Sequence, residues 1–168
     1  MSESECVCCR RPKATLTCEI CQDALCKSCA QFLDAATFAF LETKPEELTH
    51  SHYCPTCYGA HVEPALEKYN EVLGRAREAY FFFTSQRKPI PILKKAKEGI
   101  QVASCMDRDE TILRLGFLAA SQGYNAVIEA EVTSEKVRNE GYQKSVWKGK
   151  GIPANVDVAK LERHLFHG

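Results

Sequence analysis

Apolar residues recur along the chain with two different periods. Between 62 and 80, Leu66, Tyr69, Leu73, Ala76 and Tyr80 follow alternating three- and four-residue steps, which is one face of a helix. Pro64 suits its first turn, where a missing N–H costs nothing. This is read as a linker helix, with a dimerising coiled coil as the alternative. A second helix is predicted over Asp107–Gln122, with Ile112, Leu113, Gly116, Phe117 and Ala120 as its apolar face. Asp107 and Glu110 stand three apart, as in a capping box, and Gly123 ends the helix. Ala30–Leu41 also favours a helix, with Phe32, Leu33, Ala36 and Phe40 on a common side and Lys44-Pro45 as its stop. Asp157–Phe166 is predicted as a short closing helix.

The other period is two. In Asn125–Val132, Ala126, Ile128, Ala130 and Val132 alternate with Val127, Glu129 and Glu131, which predicts a strand. Tyr142–Lys148 is its expected hairpin partner, after turn chemistry ending in Asn139-Glu140-Gly141. Ile100–Met106 and Tyr80–Thr84 are further strands, and Pro89-Ile90-Pro91 reads as a connector or edge segment. Runs of strands beside single helices predict the α+β class, here a small antiparallel sheet with helices on one face. No apolar run reaches the ~18 residues of a membrane span, so no membrane insertion is expected.

Cysteine changes the picture most. Ten are present, and all but Cys105 lie at or before Cys57. The polar, cysteine-bearing start lacks a signal-peptide core, which makes a cytoplasmic location the expectation. Disulfides seldom persist there, so clustered cysteines point to metal or catalysis. Cys6–Cys9, Cys18–Cys21, Cys26–Cys29 and Cys54–Cys57 each enclose two residues, a spacing that lets both thiolates of a turn reach one ion. Four such pairs make two closed four-thiolate zinc sites, with no position left for water or substrate. Only four residues separate Cys21 from Cys26, too short a tether for those pairs to share an ion easily. The interleaved scheme places Cys6, Cys9, Cys26 and Cys29 on one zinc, and Cys18, Cys21, Cys54 and Cys57 on the other. Sequential pairing stays open, because spacing does not fix connectivity. Cys8, His50 or His52 are the candidates to replace a ligand. The formal net charge of zero becomes about −4 once eight thiolates and two zinc ions are counted. Neither value suits a general nucleic-acid binder.

The run Cys18-Glu-Ile-Cys21-Gln-Asp-Ala-Leu-Cys26-Lys-Ser-Cys29 resembles the centre of FYVE and related cross-brace, treble-clef fingers, and the flanking pairs fall in the same order. The resemblance covers residues 6–57 and implies metal geometry. Phosphoinositide-binding FYVE fingers carry a basic, histidine-containing stretch where Lys13-Ala-Thr-Leu-Thr17 stands here, so that activity does not follow. RING fingers place a histidine among the middle ligands, which this chain does not. Farther on, Ala119-Ala120-Ser121-Gln122-Gly123 followed by Tyr124-Asn125-Ala126-Val127-Ile128 is similar to a helix-to-strand junction of the YbjQ-like family. Those are small α/β proteins that form ring-like oligomers, and the similarity covers residues 100–150.

The domain scheme is a two-zinc finger over 1–60, a linker helix over 61–79 and a small α+β domain over 80–168. No catalytic or cofactor-binding residue is assigned. Cys105 beside Asp107, Asp109 and Glu110 has no histidine near it in sequence and reads as a core thiol at a strand end. His164 and His167 share a helix face near the chain end and read as surface residues. Trp147 and Tyr142 are expected to pack on a sheet face. Lys136, Arg138, Lys144, Lys148 and Lys150 mix with Glu131, Glu135 and Glu140 on the hairpin, a solvated charged face. The expected function is a non-enzymatic zinc-binding adaptor with a protein partner and an oligomerising C-terminal domain. The alternatives are a nucleic-acid-binding finger using Arg10, Arg11, Lys13 and Lys27, or an α+β domain that binds a small ligand or metal.

Overall fold

The computed structural model describes residues 5–86 and 88–167, with backbone alone for Asn139 and 163–167. The fold is α+β. The chain divides into two compact units, Met1–Asn70 and Glu71–Gly168.

The first unit is built from short ladders. Strand β1 (Leu16–Thr17) pairs antiparallel with β2 (Ala24–Leu25), and β3 (Gln31–Phe32) with β4 (His52–Tyr53). A single 3₁₀ turn covers Glu46–Leu48. Helix α1 (Pro55–Cys57) passes through a π-helical turn at Tyr58–Val62 into α2 (Glu63–Glu78). The helix expected at Ala30–Leu41 is absent. Its first residues enter the β3–β4 ladder, and Leu33 continues it by donating its N–H to the Ser51 carbonyl at 3.0 Å. The remainder forms three successive i→i−3 turns, at Thr37, Ala39 and Leu41. The Asp34 carboxylate opens them by accepting the Ala36 N–H at 2.9 Å. Phe38, not Phe32, is the buried aromatic, and it packs edge-on against Tyr69 with ring centroids 5.2 Å apart. Tyr53 is fully buried and donates its hydroxyl to the Glu47 carbonyl at 2.7 Å.

The second unit is a five-stranded sheet with β5 (Tyr80–Phe83), β6 (Ile92–Lys95), β7 (Ile100–Cys105), β8 (Ala126–Asn139) and β9 (Tyr142–Val156). Helix α3 (Arg108–Ser121) precedes β8, and α4 (Val158–His167) follows β9. The path is β5-β8-β9-β6, and β7 also pairs with β9. All pairings are antiparallel except β5–β8, which is parallel. That exception follows from the crossover, since the chain passes through β6, β7 and α3 before returning beside β5. Strands β8 and β9 run past the predicted ends, leaving only Glu140-Gly141 between them. Both of those residues have positive φ, the geometry of a tight two-residue hairpin turn.

Helix α3 packs through Thr111, Leu115 and Ala119, spaced four apart and all fully buried. Ile112 and Leu113, assigned to the core face from sequence, are only half-buried. Gly116, Phe117 and Ala120 are buried as expected, and Thr111 and Leu115 join them over Gly149 of β9. A Cβ there would lie 2.7 Å from Thr111 Cγ2 and 3.0 Å from Leu115 Cδ1. Along the π-helical turn and α2 the buried positions are Val62 and Tyr69 in the first unit, and Val72 and Ala76 in the second; Leu66 and Leu73 are half-buried. Bulges at Glu129 (φ 51) and Ser104 (φ 58) bend β8 and β7. Strand β6 is an edge whose exposed Lys94 and Lys95 oppose pairing with another chain.

Candidate metal centres

Each cysteine pair sits on a local device that turns backbone amides toward sulfur. After Cys6–Cys9, the Arg10 N–H returns to the Cys6 carbonyl at 2.9 Å, and after Cys18–Cys21, Gln22 does the same to Cys18. Both returning residues occupy the left-handed region, Arg10 at φ 64 and Gln22 at φ 68. That conformation costs a non-glycine residue about 1–2 kcal/mol. The Cys18–Cys21 turn is the tip of the β1–β2 hairpin, closed by Cys18 N–H donating to Asp23 at 2.8 Å. Cys29 and Ala30 both donate to the Cys26 carbonyl. Cys54 caps α1, its Sγ accepting the Cys57 N–H at 3.3 Å, with Pro55 next in the first turn.

These turns bring the cysteines together as two tetrads. Cys6, Cys9, Cys26 and Cys29 form one; Cys18, Cys21, Cys54 and Cys57 form the other. Within each, the sulfurs all lie within 4.8 Å of one another. Cys9 to Cys26 and Cys21 to Cys54 are each 3.7 Å. A tetrahedron with zinc–sulfur bonds of 2.3 Å has edges of about 3.8 Å, so these separations fit zinc. The tetrads follow the interleaved order, not the sequential one. All ten cysteines are free thiols, and within the tetrads Cys6, Cys18, Cys54 and Cys57 are buried.

Proton affinities inside the tetrads are split. Backbone N–H groups of Cys9 and Cys26 bring Cys6 down to about 6. Burial pushes Cys18 up, but the amides of Cys21, Cys54 and Ile20 outweigh it and hold it at about 6. The Cys29 amide likewise lowers Cys26. Burial raises Cys21 to about 11. Cys29 is raised by the neighbouring Cys26 and Cys9 thiols, and Cys57 by burial and then by Cys54. A cluster of thiolates repels itself, so some members keep protons that a divalent cation would displace.

Cys8 is exposed and belongs to neither tetrad, although its N–H approaches Cys6 Sγ at 3.4 Å. His50 and His52 also stand outside them. Both face Glu19, a residue of the Cys18–Cys21 turn, at 3.2 and 3.9 Å. Glu19 has no sequence signal beyond its place between two tetrad cysteines. Arg10, Arg11, Lys13 and Lys27 are exposed and form no ion pair among the described residues.

In the second unit Cys105 is buried, and its thiol points at the Ala103 carbonyl at 3.7 Å. The acids beside it serve the helix start. Asp107 accepts the Glu110 N–H at 2.7 Å, and Glu110 accepts the Met106 N–H at 2.6 Å and pairs with Arg114. Trp147 is half-buried, but Tyr142 is 79% exposed beside the hairpin turn, so the expected packing role fails there. Lys148 pairs with Glu135 and Lys150 with Glu131, giving the mixed-charge face. The side chains of His164 and His167 lie outside those described. Among the described residues no helix is long and apolar enough to cross a membrane.

No protein-family model, curated protein or solved structure matches this chain.

Proposed function

We propose that the chain is a zinc-binding protein that uses both cysteine tetrads as closed structural sites and acts as a non-enzymatic adaptor. The carrying observation is that the four sulfurs of each tetrad lie within 4.8 Å of one another, with one pair in each at 3.7 Å, which suits a four-thiolate zinc site. Four sulfurs fill the coordination sphere, so the ion holds the fold and does no chemistry on a substrate.

In this reading residues 1–60 form a cross-brace finger of the FYVE-like, treble-clef kind, presenting a rigid surface to a protein partner. Residues 61–79 link it to a small domain over 80–168 that is YbjQ-like in its helix-to-strand junction and sets valency by self-association. A reducing, cytoplasmic setting suits ten free thiols. The test captures partners with zinc-loaded chain and with the Cys21→Ser variant, and measures mass by light scattering. Zinc-dependent capture together with an oligomeric mass supports the adaptor. A monomer with no zinc-dependent partner overturns it.

One observation favours a second reading, ligand binding by the α+β half. Grooves of about 490 and 700 Å³ on the sheet share Gln101, Glu131 and Lys150. The left-handed Glu129 lines the first of them. A ligand-screening thermal shift with no hit removes this reading.

A further inference from the structure

The second tetrad draws its sulfurs from segments far apart in sequence, the β1–β2 tip with Cys18 and Cys21 and the start of α1 with Cys54 and Cys57. The ladders do not join them. Residues Leu16–Thr17 pair with Ala24–Leu25, and His52–Tyr53 pair with Gln31–Phe32. Apart from contacts of the sulfurs themselves, the hydrogen bonds joining the two segments among the described residues all converge on Glu19. Its carboxylate accepts the Ser51 N–H at 2.9 Å and faces the Ser51 hydroxyl at 3.5 Å. His50 Nδ1 lies 3.2 Å from it and His52 Nδ1 3.9 Å. Ser51 in turn meets His52 Nδ1 at 3.0 Å.

We infer that Glu19 is a positioning residue, a latch that holds the 50–52 segment against the Cys18–Cys21 turn and thereby sets how tightly the second site keeps its ion. The inference rests on the zinc reading. A carboxylate beside four thiolates adds negative charge to a site already carrying an excess, so electrostatics alone would make its removal tighten metal binding. The latch predicts the opposite sign, because Ser51, His50 and His52 already face that charge and the geometry it fixes is lost with it. Groups outside the ligand set that fix ligand orientation change metal affinity by about 10- to 100-fold. Glu19 acts on the segment leading to Cys54 rather than on a sulfur, which places it at the lower end.

The test uses the full zinc-loaded chain, challenged with a chelator and an alkylating reagent, with each cysteine followed by peptide mapping. Glu19→Ala is expected to speed alkylation of Cys21, Cys54 and Cys57 about tenfold, with Cys9, Cys26 and Cys29 unchanged as the internal reference. Glu19→Gln, whose amide oxygen still accepts the Ser51 N–H, falls between Glu19→Ala and the parent chain. Unchanged or slower alkylation at the second tetrad overturns the latch, as does equal acceleration at both tetrads. Fewer than eight protected cysteines in the parent chain would instead overturn the zinc reading itself.

Discussion

The sulfurs of Cys21 and Cys54, 33 residues apart in sequence, lie 3.7 Å from each other. In the zinc reading Cys54 has two jobs there, since it is also the N-cap of α1. Cys54→Ser separates them, because a serine hydroxyl caps a helix well but is a poor ligand for this soft four-sulfur site. The variant is expected to retain one zinc per chain after a chelator wash, held by the first tetrad. Retention of two would show that Cys54 is not a ligand.

Zinc uptake should depend steeply on pH. Cys21 at about 11 and the raised Cys29 and Cys57 carry protons at neutral pH, and zinc must displace them. Affinity of the second site therefore rises with pH, by about tenfold per unit near pH 7 for each proton that zinc displaces. Titration calorimetry in two buffers of different ionisation enthalpy counts the protons released, and a count near zero contradicts the split. In the metal-free chain the signs oppose. Cys6 and Cys18, lowered from 9.0 to about 6, favour folding above the unfolded value and lose that contribution as pH falls through about 6. The raised thiols favour it below 9.0 and lose theirs as pH rises.

Asp107→Ala removes the acceptor for the Glu110 N–H and should cost about 1 kcal/mol. Trp147 is the single tryptophan and lies in the sheet opposite Cys105, so its emission reports the second unit. A lower urea midpoint by fluorescence is the expected result. An unchanged midpoint would mean that the cap is replaced by water at no cost.

Gly149→Ala drives a methyl into Thr111 and Leu115 and should destabilise the second unit by about 1–3 kcal/mol. Thr111→Ser removes the Cγ2 methyl in the way and keeps the hydroxyl that donates to the Asp107 carbonyl at 2.7 Å. The double variant is expected to recover part of the loss in the same urea titration. Strict additivity would show that the contact is not what limits this position.

Local signals carried much of this structure. The Asp107 cap, the Gly123 stop and the alternation from Ala126 are short-range patterns, and the corresponding elements form where those patterns lie. The cysteine tetrads were legible for a similar reason, since tether lengths limit which pairs can meet. What failed depends on distant partners. Gln31 and Phe32 have helix-compatible neighbours, but their ladder with His52–Tyr53 decides their conformation. On α3, Thr111 and Leu115 take the buried places expected of Ile112 and Leu113 because they meet Gly149, which lies 34 positions beyond Leu115 in sequence and whose importance shows only in the close approach. Glu19 was invisible for the same reason, because its donors at 50–52 arrive from another segment.

The most direct test of the central claim is zinc content by elemental analysis of chain purified without added metal. Two zinc atoms per chain are predicted from the two tetrads. One or none would contradict the account and return the eight cysteines to redox or catalytic chemistry.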